Sequence, residues 1–145
     1  MKTIELQLNG YWVRREQLPN VTGIYFVYRA IPTKYDGDKI AEINVRELLY
    51  IGKADDQTIY ERHQHHNRQA DFDAALLEKE ILCYLTAVNI EELDIVENGL
   101  IFKRQPRLNI QLKATFKHPD THFILKSDKS IADMFTDFQL KKYDK

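Results

Sequence analysis

The chain has one cysteine, Cys83, among 145 residues. That excludes an internal disulfide and a zinc site built from several cysteines, and it suits a reducing, cytoplasmic setting. Long apolar runs are also missing. None approaches the ~18 residues needed to cross a bilayer, so no membrane role is expected. Met1-Lys2-Thr3-Ile4-Glu5 lacks the apolar segment of a secretory leader. Charge of one sign is absent too, since 21 basic and 22 acidic residues leave a net charge of −1. Binding nucleic acid through bulk electrostatics is therefore excluded; such a partner would need locally concentrated positive charge or a bound cation. With five glycines and four prolines there is no linker, repeat or low-complexity tract. One domain over residues 1–145 is expected.

What is present reads as alternating strands and helices. Ile4, Leu6 and Leu8 alternate with Glu5 and Gln7, and Asn9-Gly10 is a strong two-residue turn signal, so residues 3–15 are expected to form a hairpin. Strands are expected at 22–30, 47–52 and 82–88. Residues 32–39 read as a solvated loop with its tip at Asp36-Gly37. A helix is expected over 57–69, with Asp55 or Asp56 as its cap, and a second short one over 72–79. Asn89 and Glu92 resemble a capping box for a helix over 90–104 that stops before Pro106. Residues 108–112 read as extended. Phe123–Leu125 should be a late strand and 130–142 an amphipathic helix with Ile131, Met134, Phe135 and Phe138 inward.

Some residues do not suit a purely structural role. Glu97 falls in the stripe of Ile90, Leu93, Leu100 and Ile101 on the 90–104 helix. A carboxylate there is ion-paired, sits at the stripe's edge, is protonated, or holds a cation. Arg62 and His66, four residues apart, would share a helical face, and an arginine fork facing inward suits a phosphate. His63, His65 and His66 raise the question of a metal cluster, but adjacent helical positions diverge and this is set aside. Tyr25 and Tyr50 each stand beside a strand glycine. Their ordinary role would be packing, as Lys53 would ordinarily be a surface lysine.

In order, these residues resemble the GIY-YIG nuclease superfamily. Gly23-Ile24-Tyr25 and Tyr50-Ile51-Gly52 match its two naming motifs. Arg62, His66, Glu97 and Pro106-Arg107-Leu108-Asn109 follow in the family's sequence. The resemblance covers about residues 21–110. It implies an α/β (α+β) fold whose central sheet has three antiparallel strands flanked by helices. To that core the chain would add an N-terminal hairpin and a C-terminal strand-helix extension. It also implies hydrolysis of DNA phosphodiesters with one divalent cation, Mg²⁺ or Mn²⁺, held by Glu97, phosphate and water. Arg62 would stabilise the pentacovalent phosphate. Tyr50 is the first choice as base, with Tyr25 orienting and Lys53 or Arg62 assisting. His66 would relay the proton and Asn109 would support the site by hydrogen bonding. Loops longer than in compact members, at 32–39 and between Tyr50 and Arg62, would adjust substrate choice.

The resulting expectation is a DNA endonuclease, with two copies pairing transiently if both strands are cut. Lys53, Arg62, Arg68, Lys103, Arg104 and Arg107 are candidates for a phosphate-binding face. Two other readings stand beside it. One is a non-catalytic module that binds nucleic acid or protein on the same fold through Tyr11 and Trp12. The other is an enzyme using the histidine-rich segment around a transition metal.

Overall fold

A computed structural model describes residues 1–127 and 136–145. The elements run β1 (Lys2–Trp12), β2 (Gly23–Asp36), β3 (Lys39–Ala54), α1 (Ile59–Gln64), α2 (Gln69–Ala75), β4 (Ile81–Val88), α3 (Leu93–Arg104), β5 (Thr121–Ser127) and β6 (Phe138–Leu140). The strands form a six-stranded sheet in the order β3-β2-β4-β1-β5-β6.

The three expected core strands are β2, β3 and β4, and both pairings among them are antiparallel. The expectation of a three-stranded sheet is corrected by three further strands. Its cause is the N-terminus, which does not form a hairpin at Asn9-Gly10. Instead β1 runs straight through that dipeptide. Its first half pairs in parallel with β5, and Asn9 to Trp12 pair with β4 across a register shift. Gly10 allows the passage, because a Cβ there would stand 2.7 Å from the Tyr84 carbonyl oxygen. Burial of Leu6 and Leu8 holds the extended path. The strand wins over local turn chemistry because it satisfies two ladders at once.

Other boundaries shift for local reasons. Residues 32–36, expected as loop, continue β2, so β2 and β3 form a long hairpin arm that turns at Gly37-Asp38. The expected 57–69 helix is two short ones. Thr58, not Asp55 or Asp56, caps α1 in a box with Glu61, and the backbone leaves helical geometry at His65. Consequently His66 lies beyond α1 and shares no helical face with Arg62. The 72–79 helix is α2, earlier and shorter. Asn89 takes a positive φ of 59° rather than capping α3, which starts at Leu93. Residues 108–112 are irregular. Ile131, Met134 and Phe135 of the expected late helix lie outside the described residues. Phe138 is in β6, stacked on Phe123 of β5 at 4.8 Å.

Side-chain alternation along β2 divides the core. Ile24, Phe26 and Tyr28 face one layer with Val96, Leu100 and Ile101 of α3. Tyr25 and Val27 face the other, with Ile59 of α1 and Phe72 of α2. Period-2 geometry thus sends the phenol of Tyr25 to the α1/α2 side. Strand β3 is an outer strand, so its free edge lies between that layer and α3.

Candidate active site

Tyr25 is fully buried on β2, directly opposite Gly52 of β3. A Cβ at position 52 would lie 2.4 Å from the Tyr25 hydroxyl oxygen. The glycine of the second motif therefore makes room for the tyrosine of the first. That oxygen lies 2.7 Å from His66 Nε2. The Nδ1 of His66 accepts from the Arg68 amide at 3.0 Å. A neutral imidazole accepting at Nδ1 carries its proton on Nε2, so His66 donates to Tyr25. Arg62 Nε donates to the same oxygen at 3.4 Å. Two donors on one phenol oxygen favour a negative charge there. In this tautomer the protonated Nε2 of His66 faces the Tyr25 oxygen. Burial first, then the Arg62 and Arg68 charges, lower the His66 pKa to about 4.

Tyr50, half-buried on β3, stacks on Tyr25 with ring centroids 6.3 Å apart. The Arg68 guanidinium sits over its ring at 5.5 Å. Burial raises the pKa of both phenols. The charges of Arg62 and Glu97 act on each of them, in opposite directions.

A cleft of about 290 Å³ opens along the β3 edge, lined by Tyr50, Asn67, Arg68, Glu97, Asn109 and Gln111 among others. Glu97 reaches it from α3, beside the buried stripe of Val96, Leu100 and Ile101. Burial raises its pKa, against the opposing charge of Lys53 and a hydrogen bond from the Lys53 backbone. Asn109 covers the same edge two residues away. Its Oδ1 accepts from Ile51 N and its Nδ2 donates to Ile51 O, both at 2.9 Å. The Leu108 amide donates to Leu49 O at 3.0 Å. The Asn109 amide thus occupies a ladder position that a further strand would otherwise take.

The remaining candidates are placed differently. The Lys53 ammonium pairs with Asp94 and with Asp55, beside the cleft. Arg107 is held by both oxygens of Glu47. His65 is exposed, whereas His63 is fully buried edge-on to Tyr25 at 4.4 Å. In the sequence His63 is raised only as a member of the histidine cluster that was set aside, and nothing there places it against Tyr25. Among the described residues no group of three or more His, Cys, Asp or Glu is placed to hold a metal. With the Asn109 amide engaged by Ile51, Glu97 is the carboxylate that a cation in the cleft would find. One carboxylate suits an ion such as Mg²⁺, which retains water and draws its other ligands from phosphate.

Fold and site together define a mixed α+β protein with a polar cleft at a sheet edge, backed by paired phenols and arginines. Along part of its length the chain is similar to UvrABC system protein C of Mycoplasmoides gallisepticum (strain R(low / passage 15 / clone 2)), with 37% identity over 79 residues. The match covers 52% of this chain and 13% of that protein, so the chain spans a small fraction of its relative's length. No protein-family profile matches the chain, and no solved structure matches it. Among the described residues no helix is long and apolar enough to cross a membrane.

Proposed function

We propose that the chain is a divalent-metal-dependent DNA endonuclease of the GIY-YIG type, hydrolysing phosphodiester bonds. The observation that carries this reading is a cleft lined by both Tyr50 and Glu97, with Arg62 bonded to the Tyr25 hydroxyl of the ring stacked behind Tyr50. Similarity to a component of the UvrABC system supports DNA processing. The two motif tripeptides support the family.

A bound Mg²⁺ or Mn²⁺ would polarise a phosphate oxygen and acidify a water. Glu97 would hold that ion at the β3 edge. Water attacks phosphorus, a new P–O bond forms, and the opposite P–O bond breaks to release an alcohol. Tyr50 borders the cleft and orients the water; it would take the water's proton as phenolate only where a bound cation, with Arg68 and Arg62, outweighs the burial that raises its pKa. The positive charge of Arg68 over the ring favours that form against burial. Arg62, tied to Tyr25 through Nε and to Asn67 Oδ1 through Nη2 at 3.5 Å, would turn Nη1 to the charge developing on phosphate. Asn109 keeps the edge of β3 straight beneath the reacting group.

Nicking of supercoiled plasmid with Mg²⁺ or Mn²⁺ tests the reading. Wild-type protein should nick, and Glu97→Gln should lose at least about a hundredfold in rate at an unchanged melting temperature. DNA binding without cleavage by the wild type would favour the non-catalytic module instead. Cleavage undiminished in Glu97→Gln would remove Glu97 as the metal ligand.

A further inference from the structure

The lining of the cleft that holds Tyr50 includes an apolar side chain that the proposed chemistry does not use. Ile110 is 80% exposed, the most exposed large hydrophobic among the described residues, and it lines the cleft together with Leu112, which is 38% exposed. Burying such a side chain would be favourable, so its exposure at a candidate site is informative in a way that a scattered surface isoleucine is not. Nor is it exposed because its segment is loose. Asn109, the residue before it, is fixed by two hydrogen bonds to Ile51. The Leu112 carbonyl accepts from Asn98 Nδ2 at 3.2 Å. The Lys113 carbonyl accepts from Gln105 Nε2 at 2.8 Å, and Lys113 Nζ donates to the Pro106 carbonyl at 2.7 Å. An apolar side chain is thus presented on a stiff, tied-down loop.

The rest of the lining is suited to one nucleotide. Asn67 and Gln111 offer amide donors and acceptors, Tyr50 offers an aromatic face, and Arg68 offers positive charge. At about 290 Å³ the cleft is just below the ~300–1,000 Å³ range of ligand-sized pockets. It admits a base or sugar-phosphate unit and not a stacked duplex. Rigid apolar side chains beside DNA-binding grooves enter base steps and unstack them.

We infer that Ile110 is a wedge that opens a base step beside the scissile phosphate, so that the cleft takes an unstacked nucleotide of a DNA strand. This deepens the endonuclease reading and rests on it. DNA already unpaired at that step does not meet the cost of opening it. The preferred substrate class is therefore DNA with an unpaired or displaced nucleotide at the cut.

Two readouts test the wedge. Duplexes carrying 2-aminopurine at successive positions report unstacking by a rise in fluorescence, measured with wild-type protein in EDTA so that no cleavage is needed. Cleavage of one sequence is then compared as continuous duplex and with a single bulged nucleotide. Wild type should raise fluorescence at one position and cut the bulged substrate at least tenfold faster. Ile110→Ser should lose the fluorescence rise and widen the bulged-to-duplex rate ratio at least a further tenfold. Ile110→Leu should behave as wild type. Fluorescence that rises with no metal-dependent cleavage keeps the wedge and removes the nuclease. Cleavage with no fluorescence rise, or an Ile110→Ser rate ratio equal to that of wild type, overturns the wedge and keeps the nuclease. No DNA-dependent change at any position overturns the wedge and leaves a protein contact for this wall.

Discussion

Tyr25 lies over Gly52: its hydroxyl occupies space within 2.4 Å of where any side chain at position 52 would begin. The two motifs are therefore halves of one packing unit, joined by the β2–β3 register that sets residue 25 opposite residue 52.

Gly52→Ala should accordingly push the phenol out of its place. Overpacking at such a site costs about 1–3 kcal/mol. The melting temperature should fall, and any metal-dependent cleavage should drop more than the stability loss explains. A crystal structure of the variant should show the Tyr25 oxygen detached from His66 Nε2. An unmoved phenol would refute the packing argument.

Replacing each tyrosine by phenylalanine separates their roles. Tyr25→Phe removes the acceptor shared by His66 and Arg62, and should lower both stability and cleavage. Each lost hydrogen bond is worth about 0.5–1.5 kcal/mol. Tyr50→Phe, on the cleft wall, should leave melting within about 0.5 kcal/mol of wild type, as for a substitution outside the core network, while cleavage is lost. A pH–rate profile of Tyr25→Phe that keeps the wild-type shape supports Tyr50 as base. The reverse pattern would exchange the roles.

Acid should weaken the fold in a window set by two buried imidazoles. Burial, then neighbouring charge, lowers His63 from 6.5 to about 3 and His66 from 6.5 to about 4. Below 6.5 the unfolded chain binds these protons while the native chain does not. Stability is thus full above 6.5 and falls as pH drops toward 4 and then 3. The combined effect is on the order of a few kcal/mol. Neither ring nitrogen of His63 has a hydrogen-bond partner among the described residues. His63→Leu should therefore flatten the acid limb and be neutral or stabilising at pH 5, measured by denaturant unfolding. A steeper limb in that variant would count against this assignment.

Asn109→Leu leaves the Ile51 amide and carbonyl without the two 2.9 Å bonds they now make. Each unsatisfied buried group costs about 1–3 kcal/mol. Global stability should fall, and hydrogen exchange of the Ile51 amide should accelerate well beyond that of its neighbours. Protection at Ile51 equal to wild type would show that another group covers the edge.

The three central strands were legible because Ile24–Tyr28, Leu48–Ile51 and Leu82–Val88 are dense in β-formers and the glycines mark the close approaches. The path of β1 was not, since Asn9-Gly10 is locally a turn and only the distant partners β4 and β5 overrule it. The break at His65 escaped for the converse reason: nothing at residues 65–68 is a strong helix breaker, and the contacts of His66 with Tyr25 and the Arg68 amide appear only in three dimensions. Glu97 stood out because an acid in an apolar stripe is costly wherever it points. Arg68 was legible only as one of several candidates for a phosphate-binding face, and Ile110 carried no signal, as an isoleucine is unremarkable without its surroundings.

Asn109 attaches to the outer margin of one strand at Ile51, and Glu97 stands beside the next outward-facing rung, Lys53, although one comes from a loop and the other from α3. Pairing between Gly23–Val27 and Tyr50–Ala54 runs without a slip, and every irregularity of that ribbon lies farther out, from Val27/Tyr28 toward its tip. The ruler against which both side chains are indexed is therefore insulated from the projecting arm. Residues could be inserted or deleted near Gly37 while the spacing of acid and amide stayed fixed, whereas a single insertion between Tyr50 and Lys53 would put them out of step with each other.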